Sequence, residues 1–564
     1  MKKTLFAALA FVMMVGVAII LPLSSAHAVE TFAIETETRQ YNPDKSFNGY
    51  FLTSNDNTNG QSVYLMDMTG HVINQWDGVK GTPKLMEDST LWSCGQVQSW
   101  DGRILWEFNP PTDTPARFAA DGLVLHHDGR RIWNKKLKQY THLYVAYRNS
   151  TKEEVIAAGG DPSWSFAASS GAKGNTSRLT SHDILIEVDN NKNIVWEWRH
   201  LDHTVQSKNP AWPNYVTDVK LAPGRADAHY GNTISNDWKH INSVDYNEDL
   251  DLIVTNGRTW SEFYVIDHGN TFVSTTDWAA NRTAAKGAKG DFLYRFGNPA
   301  SYNQGFAMAC AWQQCYEGDQ QIWGSHDIQW IKPYHWNRPH AEAGDKWPDP
   351  VGYTASGIAN PGAGNFIIYD NGILNPTGMR SRIREINPYL NAAGVITGSF
   401  VNPPDAGYTG TAGQTRTSKQ IVWDYQAKLQ SSFYSSNTSG MSRLPNGNTS
   451  IQASAQGHSF EVTPTGEVVW EYQFPGYGAA AQPVMTDASG TVKLFRHYRY
   501  SPDYPAFTGK DMTPGSTITG KVPRLIGEGR TDVQPSYGFG FGNAAFGGGS
   551  GGGVGGAAGS GSGY

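Results

Sequence analysis

Four stretches of this sequence could do polar chemistry if a fold brought them together. Three carry histidine: His126-His127-Asp128, His240-Ile241-Asn242-Ser243 and His326-Asp327-Ile328. The fourth, Ser436-Asn437-Thr438-Ser439, stands in a comparable place and has none. Imidazole can donate a proton to a leaving oxygen or attack an electrophilic centre, and its pKa moves easily across neutrality. Taken singly, each histidine reads as a hydrogen-bonded structural residue. Recurrence at strand starts makes His127, His240 and His326 catalytic candidates, because starts that converge on one axis would build an anion site.

Guanidinium is the second ingredient, since its planar fork matches two oxygens of an oxyanion. Met379-Arg380-Ser381-Arg382-Ile383-Arg384 holds three arginines. Strand alternation places Arg380, Arg382 and Arg384 on one face. Solvated edge charge is the competing reading. His497 and Arg499, in His497-Tyr498-Arg499, are further binding candidates. His182 and His458 belong to later strands and read as structural. There is no GxSxG, HExxH or P-loop motif. Asp189-Asn190-Asn191-Lys192-Asn193 lacks the glycine and glutamate of a calcium loop and reads as a hairpin turn. Neither a metal site nor a cofactor is expected.

The elements that must position these residues come from a repeat. Ile104-Leu105-Trp106-Glu107-Phe108 returns as Ile194 to Trp198, Phe292 to Phe296, Ile421 to Tyr425 and Val468 to Tyr472, with a looser copy at Val72 to Trp76. Apolar, aromatic and polar residues alternating at period two mark half-buried strands. Another apolar strand precedes each copy across turn chemistry such as Asn190-Asn191 or Pro464-Thr465-Gly466. Four antiparallel strands repeated six times is the plan of a β-propeller. Paired β-sandwiches would not need the same Trp-bearing strand once per unit. The expected fold is therefore all-β, a six-bladed propeller over residues 47–520, with long insertions at 205–236, 334–362 and 388–419.

The termini read differently. Met1-Lys2-Lys3, an apolar run and Ala26-His27-Ala28 describe a secretory signal peptide over 1–28, with an uncleaved anchor as the other reading. A short segment (29–46) leads into the propeller. An extension (521–536) and a Gly/Ser-rich tail (537–564) follow it, and the tail's composition predicts disorder. Export implies the periplasm, the medium or the cell surface. An oxidising compartment would allow Cys310 and Cys315 to form a disulfide. They are too few for a zinc site, and Cys94 reads as a small buried apolar residue. The net charge of −6 and the absence of a basic block argue against nucleic-acid binding.

Several segments together resemble the bacterial arylsulfotransferase family. They are Asp237-Trp238-Lys239-His240-Ile241-Asn242-Ser243-Val244, Asp291-Phe292-Leu293-Tyr294-Arg295-Phe296-Gly297-Asn298-Pro299 and Gly324-Ser325-His326-Asp327-Ile328-Gln329-Trp330, with Arg443 to Asn448 and Phe460 to Glu467. The resemblance implies sulfuryl transfer from a phenolic sulfate ester to a phenolic acceptor, independent of a nucleotide donor. Its partners would be those two small molecules, with no nucleic acid and no membrane span once the leader is cut. It also implies a two-step exchange through a sulfated histidine, with His240 and His326 matching the sulfate-holding positions. The family's arginine should follow the Asp370-Asn371-Gly372 turn, where Asn375 stands, so Arg380 or Arg382 is expected to substitute. The sulfate-accepting histidine should lie just before Ser439-Gly440, where this chain reads Ser435-Ser436-Asn437-Thr438. His127 or His497 is then expected to serve. The alternative is a non-catalytic propeller acting as a surface binding or assembly module.

Overall fold

Each of the six aromatic segments forms the fourth strand, counted outward, of an antiparallel sheet, and six such sheets build a β-propeller in this computed structural model. The structure describes residues 37–518 except 55–60, 116–120, 165–179, 232–233, 235–236, 307–309, 312–313, 316–317, 333–359, 374–377, 379, 412–413, 429–431 and 476–493. The expected leader, the extension, the Gly/Ser tail and most of the 334–362 insertion lie outside the described residues. No helix among the described residues is long and apolar enough to cross a membrane.

Blade 1 runs outward through Tyr50–Ser54, Gln61–Asp67 and Val72–Val79, and the C-terminal strand His497–Tyr500 supplies its innermost position. Blade 2 spans Lys84–Leu85 to Ile104–Glu107, and blade 3 spans Val124–Asn134 to Ile194–Arg199. Blade 4 spans Ile241–Asn247 to Phe292–Phe296, and blade 5 spans His326–Trp330 to Ile421–Tyr425. Blade 6 spans Gly440–Arg443 to Val468–Gln473. Glu37–Tyr41 pairs beyond it as a fifth strand, so part of the segment read as a separate lead-in belongs to the propeller's rim. The first and last described strands thus sit on the neighbouring blades 6 and 1 where the ring closes.

Period-two alternation gives every blade two apolar faces. In blade 1, Phe51, Tyr64 and Met66 pack with Trp470 and Tyr472 of blade 6, while Leu52, Val63 and Leu65 pack with Leu85 and Leu91 of blade 2. Similar cores lie between every other neighbouring pair. The recurrent aromatic residue has a specific task. Trp76 donates its indole N–H to Ser99 O, Trp106 to Asn190 O, Trp196 to Thr271 Oγ1, Trp423 to Pro464 O and Trp470 to Met68 O, at 2.8–3.0 Å. Each acceptor lies in the hairpin between the third and outer strands of the next blade. A large ring is thereby buried while its one donor is satisfied. In blade 4 Tyr294 takes this place and reaches Gln420 Oε1 at 3.4 Å.

Insertions depart from the repeat. The 205–236 excursion is tied by a small parallel ladder, Thr204–Val205 with Ala226–Asp227. A helix the sequence pattern did not announce, Trp278–Lys286, joins two strands of blade 4 and is capped by Asp277 accepting from Ala279 N and Ala280 N. Cys310 and Cys315 are register partners in a short hairpin, but the bridge expected between them rests on side chains outside the described residues. Cys94 is buried and free.

Candidate functional site

The inner strands are stitched side by side through their first residues. Asp128 Oδ2 accepts from Val244 N, Ser243 Oγ from Ile328 N, Asp245 Oδ2 from Trp330 N and Asp327 Oδ2 from Met441 N, all at 3.0–3.1 Å. Burying a carboxylate demands such partners. Here they lock blades 3, 4, 5 and 6 into one radial arrangement. Arg496, at the head of the closing strand, adds blade 1: its Nη1 lies 2.7 Å from Asp128 and 3.1 Å from Asp327, and its Nη2 donates to Asn242 O at 3.2 Å. This buried cation is the floor of the site.

Above it the histidines meet. His127 and His240 are edge to face with ring centroids 4.7 Å apart, and His126 lies 4.9 Å from His127. His127, His240 and Asp327, each within the first few residues of its strand or just before it, have φ of 54°, 52° and 54°. Left-handed backbone costs a non-glycine residue about 1–3 kcal/mol and accumulates where a site over-determines geometry. The strain turns these side chains toward the axis.

Each imidazole is held by a defined partner. His240 Nδ1 is 2.6 Å from Asp237 Oδ2, and Asp237 Oδ1 accepts from the Tyr147 hydroxyl at 2.6 Å. His326 Nδ1 is 2.7 Å from Asn371 Oδ1, while Asn371 Nδ2 donates to Ser435 O and Thr438 O. Those two carbonyls fix which end of the amide accepts. His326 therefore donates from Nδ1 and keeps the Nε2 lone pair. His126 stacks on Tyr147 at 3.5 Å, its Nδ1 is 2.6 Å from His127 Nδ1, and its Nε2 is 3.5 Å from Asp183 Oδ1. Burial is the main cause that lowers the pKa of His127, to about 3, with the neighbouring His240 next. Burial and then the charge of Arg258 hold His326 well below its usual range. The rings of His127 and His326 are therefore neutral at pH 7, suited to act as nucleophiles and proton acceptors.

Arg258 is the residue the sequence reading missed. It is half-buried, its backbone N–H donates to His240 O at 3.0 Å, and its charge acts on His127, His326, Asp237, Tyr147 and Tyr434. Its guanidinium makes no hydrogen bond or ion pair among the described residues. A signal for it existed. Asn256-Gly257-Arg258 ends a second strand as Asn371-Gly372 does, and the two asparagines donate alike into the following blade, Asn256 to Ser325 O and Asn371 to Ser435 O. The arginine sought after the blade 5 turn stands after the blade 4 turn.

The structure places the other expected binders elsewhere. Arg382 pairs with Asp424 at 3.4 Å within blade 5, and Arg384 with the same carboxylate. Asp424, Arg384 and Asp370 are the charges that act on Arg380. His497 is clasped between Ser450 Oγ at 2.5 Å and Ser459 Oγ at 2.9 Å. Arg499 pairs with Glu461 at 2.9 Å. Arg382, Arg384, His497 and Arg499 hold strands together through these contacts, none of which involves His127, His240 or His326. His458 is also structural, 2.8 Å from Glu471, and His182 is buried in the third strand of blade 3. Among the described residues no imidazole contacts Ser439: Ser435 and Ser439 bond to each other, and Asn437 is exposed. Among the described residues no group of three or more His, Cys, Asp or Glu is arranged to hold a metal ion.

Comparison with known proteins matches residues 36–335 to the family Arylsulfotransferase (ASST). No curated protein matches the chain. One solved structure, a protein of unknown function from Bacteroides caccae, aligns at 9% identity over 80% of this chain and 100% of its own, with a TM-score of 0.34.

Proposed function

Because the chain belongs to the arylsulfotransferase family, we propose that it moves a sulfuryl group from a phenolic sulfate ester to a phenolic acceptor, with no nucleotide donor. The observation that carries this reading is Arg258, a guanidinium without a fixed acceptor among the described residues, whose charge acts on the neutral imidazoles of His127 and His326. An oxyanion is the group that completes such a site.

In this scheme Arg258 holds two sulfuryl oxygens while His127 Nε2 attacks sulfur. The S–O bond to the donor phenol breaks, and His240, entering the step as an imidazolium paired with Asp237, delivers its Nε2 proton to the departing phenolate and is left neutral. The Nδ1 proton of His127 passes to His126 across the 2.6 Å contact as the S–N bond forms. His240 then takes the proton of the acceptor phenol, whose oxygen attacks sulfur; the S–N bond breaks and His126 returns its proton. His326 fills the wall beside the sulfuryl group. Phe495, 6.0 Å from the His127 ring, offers an apolar surface to the aryl ring. We place the reaction outside the inner membrane, on the strength of the leader motif.

The test is release of nitrophenol from p-nitrophenyl sulfate with phenol as acceptor. The proposal expects turnover by the intact chain and none by a His240→Ala/His326→Gln variant. Equal rates in the two would overturn it.

A further inference from the structure

At the end of the channel remote from the histidines lies a cavity of about 130 Å³, lined by Lys84, Arg130, Asp245, Trp330, Lys332 and Tyr498, with Glu87, Asn360 and Ser442 also on its wall. The inner strands that begin at the mouth carry their later residues here. From its position, lining and charge we propose that this cavity is a second binding site, one that takes a small oxoanion of the sulfate or phosphate class.

Two independent observations carry the assignment. The first is a set of unsatisfied donors. Trp330 Nε1–H, the Tyr498 hydroxyl and the Ser442 hydroxyl are all buried without a hydrogen-bond partner, and Asn360 Oδ1 is likewise unmatched. Trp330 and Asn360 are almost fully buried. A buried polar atom left unpaired costs about 1–3 kcal/mol, so four on one wall favour a bound polar species that satisfies them. Indole N–H can only donate, and hydroxyls can donate, so the missing partner is chiefly an acceptor.

The second is charge. Among the described residues Lys84, Arg130, Lys332 and Arg496 pair with Asp128, Asp245 and Asp327. The three carboxylates balance Arg130, Lys332 and Arg496, which leaves Lys84 and the wall carboxyl Glu87. Burial, and then Arg130, bring Lys84 down to about 7, and burial pushes Glu87 up to about 7. A bound oxoanion would draw a proton onto Lys84 and give it the counter-charge. With such donors and cations the cavity is unsuited to a metal ion. Its volume approaches that of an apolar cavity known to admit benzene, roughly 150 Å³, so an ion of sulfate size fits with a water or two.

The test is calorimetric titration with sulfate and with phosphate, against chloride at equal ionic strength, on three proteins. These are the intact chain, the His240→Ala/His326→Gln variant that disables the mouth, and a Lys332→Met/Trp330→Phe variant, each checked for fold by circular dichroism. Saturable oxoanion binding should persist when the mouth is disabled and weaken at least about tenfold in the Lys332→Met/Trp330→Phe protein. The proposal is overturned if sulfate and phosphate act no differently from chloride. It is equally overturned if binding vanishes with the mouth histidines and survives at full strength in the Lys332→Met/Trp330→Phe protein. Neither result depends on whether sulfuryl transfer occurs.

Discussion

The ring of His127 meets the ring of His240 edge to face at 4.7 Å, although the two lie near the starts of the inner strands of different blades. Only a closed circle of blades makes such neighbours of residues so far apart in sequence. Arg258, whose backbone is bonded to His240 O, adds charge to this contact.

Arg258 should act on binding of the sulfate group. Arg258→Ala is expected to raise KM for p-nitrophenyl sulfate by about 10- to 100-fold, the worth of a charge-assisted hydrogen bond. Arg258→Lys should recover only part of this, because a point charge lacks the planar fork. Steady-state kinetics of both variants provide the check. An unchanged KM in Arg258→Ala would remove the residue from the site.

Asp237 should act on the proton. Burial works to raise its pKa, but the hydrogen bond and charge of His240 hold it below the usual carboxylate range. Asp237→Asn keeps the shape and removes the charge behind His240. The expected result is a fall in kcat of about 10²- to 10⁴-fold with little change in KM, and a displaced pH profile. Loss of KM alone would assign Asp237 to binding instead.

The floor should matter to stability. Arg496 joins carboxylates from blades 3 and 5, and its removal leaves buried charge unpaired. Arg496→Met is expected to cost about 3–5 kcal/mol, read as a lowered denaturation midpoint at unchanged m-value.

A pH dependence follows from His268, far from the mouth. Burial would lower its pKa, but Glu187 at 2.9 Å and Asp251 at 2.6 Å raise it to about 9 from an ordinary 6.5. A folded-state pKa above the unfolded one means the proton stabilises the fold. That contribution, about 3 kcal/mol, is complete below pH 6.5 and is lost as pH rises through 9. Denaturation midpoints measured from pH 6 to 10 should fall over this window. In His268→Gln that fall should be largely absent.

Much of the fold was legible because one residue repeats one task. The tryptophan at the third place of the recurring strand must bury its ring and give its N–H to the next blade's turn, as Trp106, Trp196 and Trp470 do, and Trp76 does the same from the looser copy, so its spacing counts the blades. The convergence of His127, His240 and His326 was legible for a related reason, since strand starts face the axis. Arg380 and Arg382 misled because alternation tells which residues share a face but not which carboxylate waits there, and Asp424 is contributed by a strand beyond a long insertion. Glu37–Tyr41 was hidden because a rim strand pairs on one edge only and needs no recurring aromatic. His497 looked like a free imidazole until Ser450 and Ser459, from two other strands, closed on both its nitrogens.

The most direct measurement of the central claim is mass spectrometry of the intact chain after brief exposure to p-nitrophenyl sulfate without acceptor. The account predicts a gain of about 80 Da, the mass of SO₃, mapped by fragmentation to His127 and discharged on adding phenol. Turnover that proceeds with no adduct on any histidine, or an adduct that phenol does not discharge, would contradict it.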